Sequence, residues 1–408
     1  MKKMLAILLS LLATMAFFGA CGSSTSNYDS QGEDIVNRLD MTTLSENIES
    51  IAQYDFSHNK VFGSAYYVYQ DGVALEKCYG TTSLNSDTPI TNKTLFRLAS
   101  MTKPITAVAT MILVERGLLS LDDPIDMYIP AFHNVKIVDA SGNESSPQNL
   151  PTVRNLLNHT SGIGGITKKL DSMTANDKAT LKSSIAFYAK IGLDFEPGTR
   201  QMYSGYASFD VLTRIIEIAS ATDYLEFLTT EIFEPCGMVD TTFLPSSDQQ
   251  SRIVDMHKQI NGENAVAEMY PNCIFEDFPS THYLGGAGLV STLQDYTQFA
   301  KMLLNKGLAG NKRILKEETF SQLCTPQVSH EIMPYSERWG LGMRVITNDS
   351  SPLPKGSFGW SGAYGSHFWI DPTNKIFAVF MKNSRIDGGA GNESAVNLEQ
   401  AVYTACKL

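Results

Sequence analysis

The sequence predicts an α+β fold: one antiparallel sheet built from both ends of the chain, with a mainly helical lobe inserted between them. Strand patterns occur near residues 61–79 and again near 366–381, whereas the middle repeats apolar residues at helical spacing. A two-stranded hairpin is rarely stable alone, so strands from the two ends are expected to join one sheet. A chain of 408 residues fits one large two-lobed domain or two domains.

The first two strands are predicted at 61–69 and 73–79, where aromatic and β-branched residues are concentrated. Asp71-Gly72 lies between them, and an Asp-Gly pair between apolar runs is a strong hairpin signal. Residues 104–116 are apolar on nearly all sides, which indicates a helix in the middle of the core.

Later elements follow the same logic. Residues 208–220 and 293–305 repeat apolar side chains at helical spacing, and 366–370 and 376–381 read as strands. Residues 393–405 form an amphipathic helix that is expected to cover the sheet.

Composition excludes some classes of function. The formal net charge is −11 and no basic run occurs, so nucleic acid is not an expected partner. No His/Cys cluster has metal-ligand spacing, and we expect neither a metal nor a cofactor. Apart from Cys21, the chain has an odd number of cysteines, which excludes a fully paired disulfide framework within one chain. These are Cys78, Cys236, Cys273, Cys324 and Cys406.

The N-terminus predicts export. Lys2 and Lys3 precede an uncharged apolar stretch, 4–20, and small residues stand before Cys21. This ending resembles the lipobox of bacterial lipoproteins, with Phe18 where leucine is more usual. The prediction is a signal peptide over 1–21 with a lipid on Cys21, a flexible tether over 22–41, and a membrane-anchored protein at the cell surface or in the periplasm. An ordinary signal peptide and an uncleaved anchor are the alternatives.

Ser100 and Lys103 form a candidate nucleophile and activating amine. Residues three apart share one helix face, and a serine hydroxyl needs a base to become nucleophilic. A lysine inside an otherwise apolar helix is costly unless it has a partner or a task. The alternative is that Ser100 only caps the helix and Lys103 is solvated.

The surroundings resemble the serine β-lactamase and penicillin-binding protein superfamily. The resemblance is greatest to the class C β-lactamase-like branch, and within it to family eight carboxylesterases. Six stretches agree in order and together span about 42–405. They are "TLFRLASMTKPITA", "LLNHTSGI", "EPGTRQMYSGYASFDVL", "IFEPCGMVDTTF", "GGAGLVSTLQDYTQFAKMLL" and "FGWSGAYGSHFWIDP". The resemblance implies a β-lactamase-like catalytic domain over 42–405. Its sheet lobe would be about 42–100 and 285–405, and its helical lobe about 104–284.

The second motif of that superfamily places Tyr203 beside Ser100 and Lys103. A neighbouring ammonium group stabilises a tyrosinate, so Tyr203 is a candidate to move the serine proton. Whether Lys103 or Tyr203 is the base stays open. The family often has Tyr-x-Asn here, whereas this chain has Gly205 in the asparagine position.

The third motif is Trp360-Ser361-Gly362, where β-lactamases and transpeptidases usually carry a cation. Tryptophan offers an apolar wall and one N–H donor. Gly362 permits close backbone approach, and Ser361 is a possible hydrogen-bond donor to substrate. The resemblance implies an oxyanion hole formed by the N–H groups of Ser100 and Ala363.

These features predict a serine hydrolase that acts on small-molecule ester, amide or peptidoglycan-like substrates through an acyl-enzyme, with carboxylesterase as the first choice. The alternatives are a D-alanyl-D-alanine carboxypeptidase or weak β-lactamase, and a non-catalytic cell-wall-binding module. His159 and His367 are expected to be packing residues, because no aspartate is placed by motif to orient either.

Overall fold

The computed structural model of the protein describes residues 38–268 and 282–407. The predicted signal peptide, the lipid site Cys21, most of the predicted tether and Cys273 lie outside these ranges.

An eight-stranded antiparallel sheet organises the chain, and its strands come from both ends, as the sequence predicted. In spatial order the strands run β4-β5-β6-β7-β8-β1-β2-β3. Their bounds are β1 Gly63–Gln70, β2 Val73–Ser83, β3 Ser86–Pro89, β4 Glu337–Trp339, β5 Arg344–Ile346, β6 Phe358–Ser361, β7 His367–Asp371 and β8 Ile376–Met381. This mixed architecture around one large antiparallel sheet confirms the predicted fold class.

The first hairpin forms at the predicted Asp-Gly pair. Gln70 and Val73 are paired across the turn, and both central residues have positive φ, 45° for Asp71 and 91° for Gly72. Positive φ at both positions matches the twist of the flanking strands, which is why Asp-Gly is favoured there.

Strands β4 and β5 were not anticipated. Each has only three residues, too few for a period of two to stand out. They extend the sheet beyond β6 through antiparallel pairs such as Val345 with Phe358.

Helices cover both faces of the sheet. The longer ones are α1 Met41–Ser57, α2 Thr102–Glu115, α3 Leu181–Ile191, α4 Ala207–Ser220, α5 Leu293–Leu304 and α6 Glu393–Thr404. On one face, α1 and α6 pack against a cluster that includes Trp369 and Phe380. On the other, α2 and α5 share the larger core with Phe368 and Val379. Alternating strand residues thus fill two separate cores.

Short elements complete the described chain. A hairpin of His257–Ile260 and Glu263–Val266 interrupts the helical middle. Two-residue strands pair at Ile137–Val138 with Glu144–Ser145, and at Leu308–Ala309 with Lys312–Arg313, while Leu95–Arg97 pairs with Val290–Thr292. The short helices and turns are Ala99–Met101, Ile125–Met127, Pro130–Phe132, Val153–Leu157, Thr167–Leu170, Tyr224–Leu228, Thr229–Phe233, Glu234–Cys236, Ser247–Ser251 and Glu317–Leu323.

Residues 38–41, which the sequence prediction assigned to the tether, have regular contacts in the structure. Arg38–Leu39 pairs with Cys406–Lys407 in an antiparallel ladder, and the side chain of Asp40 caps α1 by accepting from two backbone N–H groups. These backbone bonds place residues 38–41 in the folded domain, which shortens the predicted tether at its C-terminal end.

No helix in the described ranges is long and apolar enough to cross a membrane. Cys78 and Cys236 are buried, Cys324 and Cys406 are half-buried, and no disulfide joins these four.

A buried charge network ties β8 to α6 and α1. Lys382 Nζ lies 2.5 Å from Asp387 Oδ2 and 2.9 Å from Ser394 Oγ, and Ser394 Oγ lies 2.7 Å from Asp55 Oδ2. Burial opposes ionisation of Asp387, but Lys382 outweighs it and holds the pKa of Asp387 at about 2. The Lys382 side chain is fully buried, so its charge is compensated only by these groups.

Replacing Lys382 by methionine should destabilise the fold by about 3–5 kcal/mol, because Asp387 would lose its buried cation and Asp55 would keep only Lys60, at 3.9 Å. Urea denaturation measures this change. The matched control is Lys306→Met, which breaks an exposed pair with Glu317 at 3.6 Å and should cost less than about 1 kcal/mol. Equal effects of the two substitutions would contradict the assignment.

Candidate active site

Ser100 lies in a tight turn at the start of α2. The turn, Ala99–Met101, runs directly into the helix, and Ala99 has a positive φ of 44°. A non-glycine residue in that region is strained, so the surrounding packing must hold it there. The turn and α2 show no side-chain capping bond. The alternative in which Ser100 is only a helix cap therefore does not hold.

Lys103 is fully buried beneath Ser100. Its Nζ lies 3.4 Å from Ser100 Oγ, 2.9 Å from the carbonyl oxygen of Gly286, and 2.5 Å from that of Gly205. The two carbonyls can only accept, so they occupy two N–H groups of the lysine. The third position on Nζ faces Ser100: it is a lone pair if the amine is neutral and a third N–H if it is charged. The contact is compatible with Lys103 as base or as charged neighbour.

The groups around Lys103 carry little charge at neutral pH. Burial raises the pKa of Asp210 to about 8, so this carboxyl group is largely protonated at pH 7. Burial, and secondly the charge of Lys103, lowers the pKa of His159 well below its usual value. Aromatic rings complete the surroundings, with Nζ 4.9 Å from the ring centroid of Tyr203 and 5.2 Å from that of Phe209.

Tyr203 belongs to an aromatic wall. Trp360 Nε1 donates a hydrogen bond to Tyr203 Oη at 3.3 Å. Trp339 stacks on the ring of Tyr203 at 5.8 Å and meets Trp360 edge-on at 4.5 Å. His159 contacts Tyr203 and Trp339 from behind, and its Nδ1 accepts from the Ser204 N–H at 3.2 Å. This places His159 in a structural role, with φ of 60° at a turn.

The end of β6 passes close to the turn that carries Ser100. A Cβ on Gly362 would lie 2.4 Å from the Leu98 carbonyl oxygen and 2.3 Å from Ser366 Oγ, so no side chain fits there. Neither the Ser100 nor the Ala363 N–H donates to a backbone carbonyl within residues 38–268 and 282–407. Both N–H groups therefore remain available to a substrate oxygen, as donors to an oxyanion must be.

Ser361 has a partner that the sequence did not reveal. Ser361 Oγ lies 2.8 Å from His367 Nδ1, and His367 Nε2 lies 2.9 Å from Glu399 Oε1. Arg344 forms two ion pairs: its Nη2 lies 2.6 Å from Glu399 Oε1 and its Nη1 lies 3.0 Å from Glu337 Oε2. The expectation that His367 is a plain packing residue without an acidic partner is corrected. Its carboxylate comes from α6, 32 residues further along the chain, where no motif indicates it.

These elements line a cavity of about 340 Å³ that opens to solvent. The sequence-predicted residues on its wall are Ser100, Tyr203, Trp360, Ser361 and Ala363, whereas Lys103 and Gly362 support it from behind. The wall residues that sequence reasoning missed are Gln201, Met333, Glu337, Trp339, Gly389 and Ala390. Gln201 stands two residues before Tyr203 in the sequence, and Trp339 stands in a glycine-rich stretch. Each position therefore gave only a weak local indication of a site residue.

Within residues 38–268 and 282–407, no group of three or more His, Cys, Asp or Glu side chains is placed to hold a metal ion.

The family follows from comparison with known proteins. The model of the Beta-lactamase family matches residues 46–402, so the chain belongs to that family. It is a serine hydrolase of the β-lactamase and penicillin-binding-protein-like superfamily.

Relatives within the family point to more than one activity. Esterase EstB of Burkholderia gladioli is 26% identical over 90% of this chain and 96% of its own length. A Salmonella typhimurium protein, provisionally named D-alanyl-D-alanine carboxypeptidase, is 26% identical over 76% of this chain and 73% of its own. The solved structure of EstCE1, a hydrolase with promiscuous acyltransferase activity, superimposes with a TM-score of 0.77 at 22% identity. It covers 89% of this chain and 99% of that one.

Gly362→Ala should lower kcat/KM at least 100-fold, because the new methyl group would push the strand away from Leu98 and shift the Ala363 donor. Hydrolysis of p-nitrophenyl butyrate measures this. Gly205→Ala is the matched control: a Cβ there meets nothing within 4 Å, and the carbonyl that holds Lys103 stays. It should keep kcat/KM within about threefold. Similar activities of the two variants would contradict the crowding argument.

Proposed function

We propose that the protein is a carboxylesterase that cleaves neutral esters through an acyl-enzyme on Ser100. One observation carries the proposal. Ser100 Oγ lies against the buried amine of Lys103 at 3.4 Å, and the cavity above it has an aromatic wall without a cation.

The chemistry uses groups that already surround Ser100. Its Oγ attacks the ester carbonyl carbon while its proton passes to Lys103 or Tyr203. The N–H groups of Ser100 and Ala363 stabilise the oxyanion, and the proton then goes to the leaving alcohol as the carbon–oxygen bond breaks. Water enters by the same route, releases the acid and regenerates Ser100.

The charge of the cavity favours neutral substrates. Among the wall residues in the described part of the chain, Glu337 is the one with a formal charge, and none is lysine, arginine or histidine. A substrate carboxylate would therefore find no cation on the wall, and Arg344 behind Glu337 is already shared by two carboxylates.

The relatives support the esterase proposal, and one of them also supports an alternative. The name of the Burkholderia gladioli relative is that of an esterase. The provisional name of the Salmonella typhimurium relative favours D-alanyl-D-alanine carboxypeptidase, or a weak β-lactamase, as the second candidate. The substrates of both activities carry a carboxylate, which the residues on the cavity wall disfavour. A purely binding module is disfavoured by the intact set of Ser100, Lys103 and Tyr203.

The proposal predicts activity on p-nitrophenyl butyrate that exceeds activity on nitrocefin and on a D-alanyl-D-alanine peptide. Ser100→Ala should lose at least about 10³-fold in kcat, because Ser100 is the cavity serine whose hydroxyl contacts the buried amine of Lys103. Tyr203→Phe should lose about 10²–10⁴-fold if its hydroxyl moves the proton. Steady-state kinetics of the purified chain measure all three.

Ser120→Ala is a matched control, since Ser120 lies on an exposed loop that precedes Asp123. It should leave the ester activity unchanged. Ester hydrolysis that survives Ser100→Ala would refute the esterase proposal, and dominant peptidase activity that Ser100→Ala removes would establish the second candidate instead.

We also propose that the protein is exported and anchored to a bacterial membrane by a lipid on Cys21. The support is the pattern at the start of the sequence: two lysines, an uncharged apolar stretch, and small residues before the cysteine. Membrane attachment would come from this anchor at the cell surface or in the periplasm.

The anchor predicts that full-length protein sediments with membranes and incorporates labelled palmitate, and that Cys21→Ala loses the label. Fractionation and labelling in a bacterial host measure both. Cys324→Ala, at a half-buried cysteine in the catalytic domain, is the control and should keep the label. Unchanged labelling of Cys21→Ala would contradict the anchor.

A further inference from the structure

The hydrogen bonds behind Ser361 have a fixed direction. An ionised carboxylate can only accept, so at 2.9 Å from Glu399 the Nε2 of His367 must carry the hydrogen. In a neutral imidazole the other nitrogen is then an acceptor. Ser361 Oγ, 2.8 Å from Nδ1, must therefore donate its single hydrogen to His367.

The protonation states that this direction requires fit the surroundings. Burial opposes ionisation of Glu399, but its contacts with His367 and Arg344 outweigh burial and lower the pKa of the carboxyl group. Burial also lowers the pKa of His367, so the ring is neutral at pH 7.5. Arg344 supplies a cation to Glu399 at 2.6 Å, so this carboxylate has a charged partner besides His367.

We propose that Ser361 is a specificity-determining residue that meets a substrate only as a hydrogen-bond acceptor, because His367 and Glu399 occupy its hydrogen. The inference rests on the proposed esterase function. It replaces the sequence-based expectation of Ser361 as a donor to substrate. Ser361 is on the cavity wall, whereas His367 and Glu399 are buried behind it.

This polarity selects a class of ester. An acyl group that carries a hydroxyl or an amide N–H can donate to the lone pairs of Ser361 Oγ, whereas a carboxylate finds no donor there. Glu337, on the same wall and paired with Arg344, adds a second feature that disfavours anions. Ser361 and Glu337 are connected by polar contacts that run through His367, Glu399 and Arg344.

The test uses two esters that differ only at the end of the acyl chain, p-nitrophenyl hexanoate and the p-nitrophenyl monoester of adipic acid. The readout is the ratio of kcat/KM for the adipate ester to that for the hexanoate, after subtraction of the Ser100→Ala rate. His367→Leu frees the Ser361 hydrogen and should raise this ratio on the order of tenfold, the effect of one hydrogen bond to a charged group.

Two further variants separate polarity from loosened packing. The double variant His367→Leu/Ser361→Ala has no hydroxyl to donate, so its ratio should return to the wild-type value. Glu399→Gln can keep an acceptor oxygen towards His367 and should retain the wild-type ratio. An unchanged ratio in His367→Leu, or an equal rise in the double variant, would overturn the proposal.

Nitrogen-15 NMR of histidine-labelled wild-type protein at pH 7.5 tests the direction without any core substitution. The His367 signals, identified as those that shift in Ser361→Ala, should show a protonated Nε2 and an unprotonated Nδ1. A protonated Nδ1 would overturn the proposal even if His367→Leu failed to fold. Failure of the esterase proposal would appear separately, as ester hydrolysis that survives Ser100→Ala.

Discussion

The site depends on the buried amine of Lys103 and its three oxygen neighbours. A lysine with no exposed surface is costly unless its donors are satisfied. Here the carbonyls of Gly205 and Gly286, from two segments distant in sequence, hold Nζ against Ser100 Oγ. These segments can approach each other closely because residue 286 is glycine: a Cβ there would lie 2.9 Å from Tyr206 Cα.

The turn that carries Ser100 lies between the helices and the sheet, and contacts from both fix its position. The turn that carries Ser100 is held on one side by the Leu98 N–H, which donates to the Leu289 carbonyl at 2.9 Å. On the other side it touches Gly362 at the end of β6. The backbone that carries the two proposed oxyanion donors is thus held by the Leu98–Leu289 hydrogen bond and by the close approach of Gly362 to Leu98. Such preorganised donors stabilise developing charge without rearrangement during the reaction.

Much of the fold was predictable because its signals are local. The hairpin at Asp71-Gly72, the strand Ile376–Met381 and the buried helix α2 each follow from a turn pair or a hydrophobic period within one segment. Strands β4 and β5 could not be predicted, since three residues are too few to show the alternation of a strand. Ser100, Tyr203, Trp360 and Ala363 were identified through motif resemblance, and the structure brings them to one cavity. Their catalytic roles remain predictions.

The residues that sequence reasoning missed share a physical cause. His367 acquires its acidic partner from Glu399 on a separate helix, and Glu337 reaches the cavity wall from a strand of three residues. Such pairs depend on tertiary packing between distant segments, which spacing along the chain does not encode. The missing asparagine at position 205 shows the reverse case. The Gly205 side chain offers no group to Lys103, but its backbone carbonyl, which no residue type reveals, accepts a hydrogen bond from Lys103 Nζ.

The most direct measurement is the mass of the enzyme trapped during turnover. The purified chain is mixed with p-nitrophenyl butyrate, quenched in acid within milliseconds and digested for peptide mass spectrometry. The account predicts a butyryl group on the peptide that contains Ser100, decaying as product forms. A butyryl group that accumulates and turns over on another residue, with Ser100 unmodified, would contradict it.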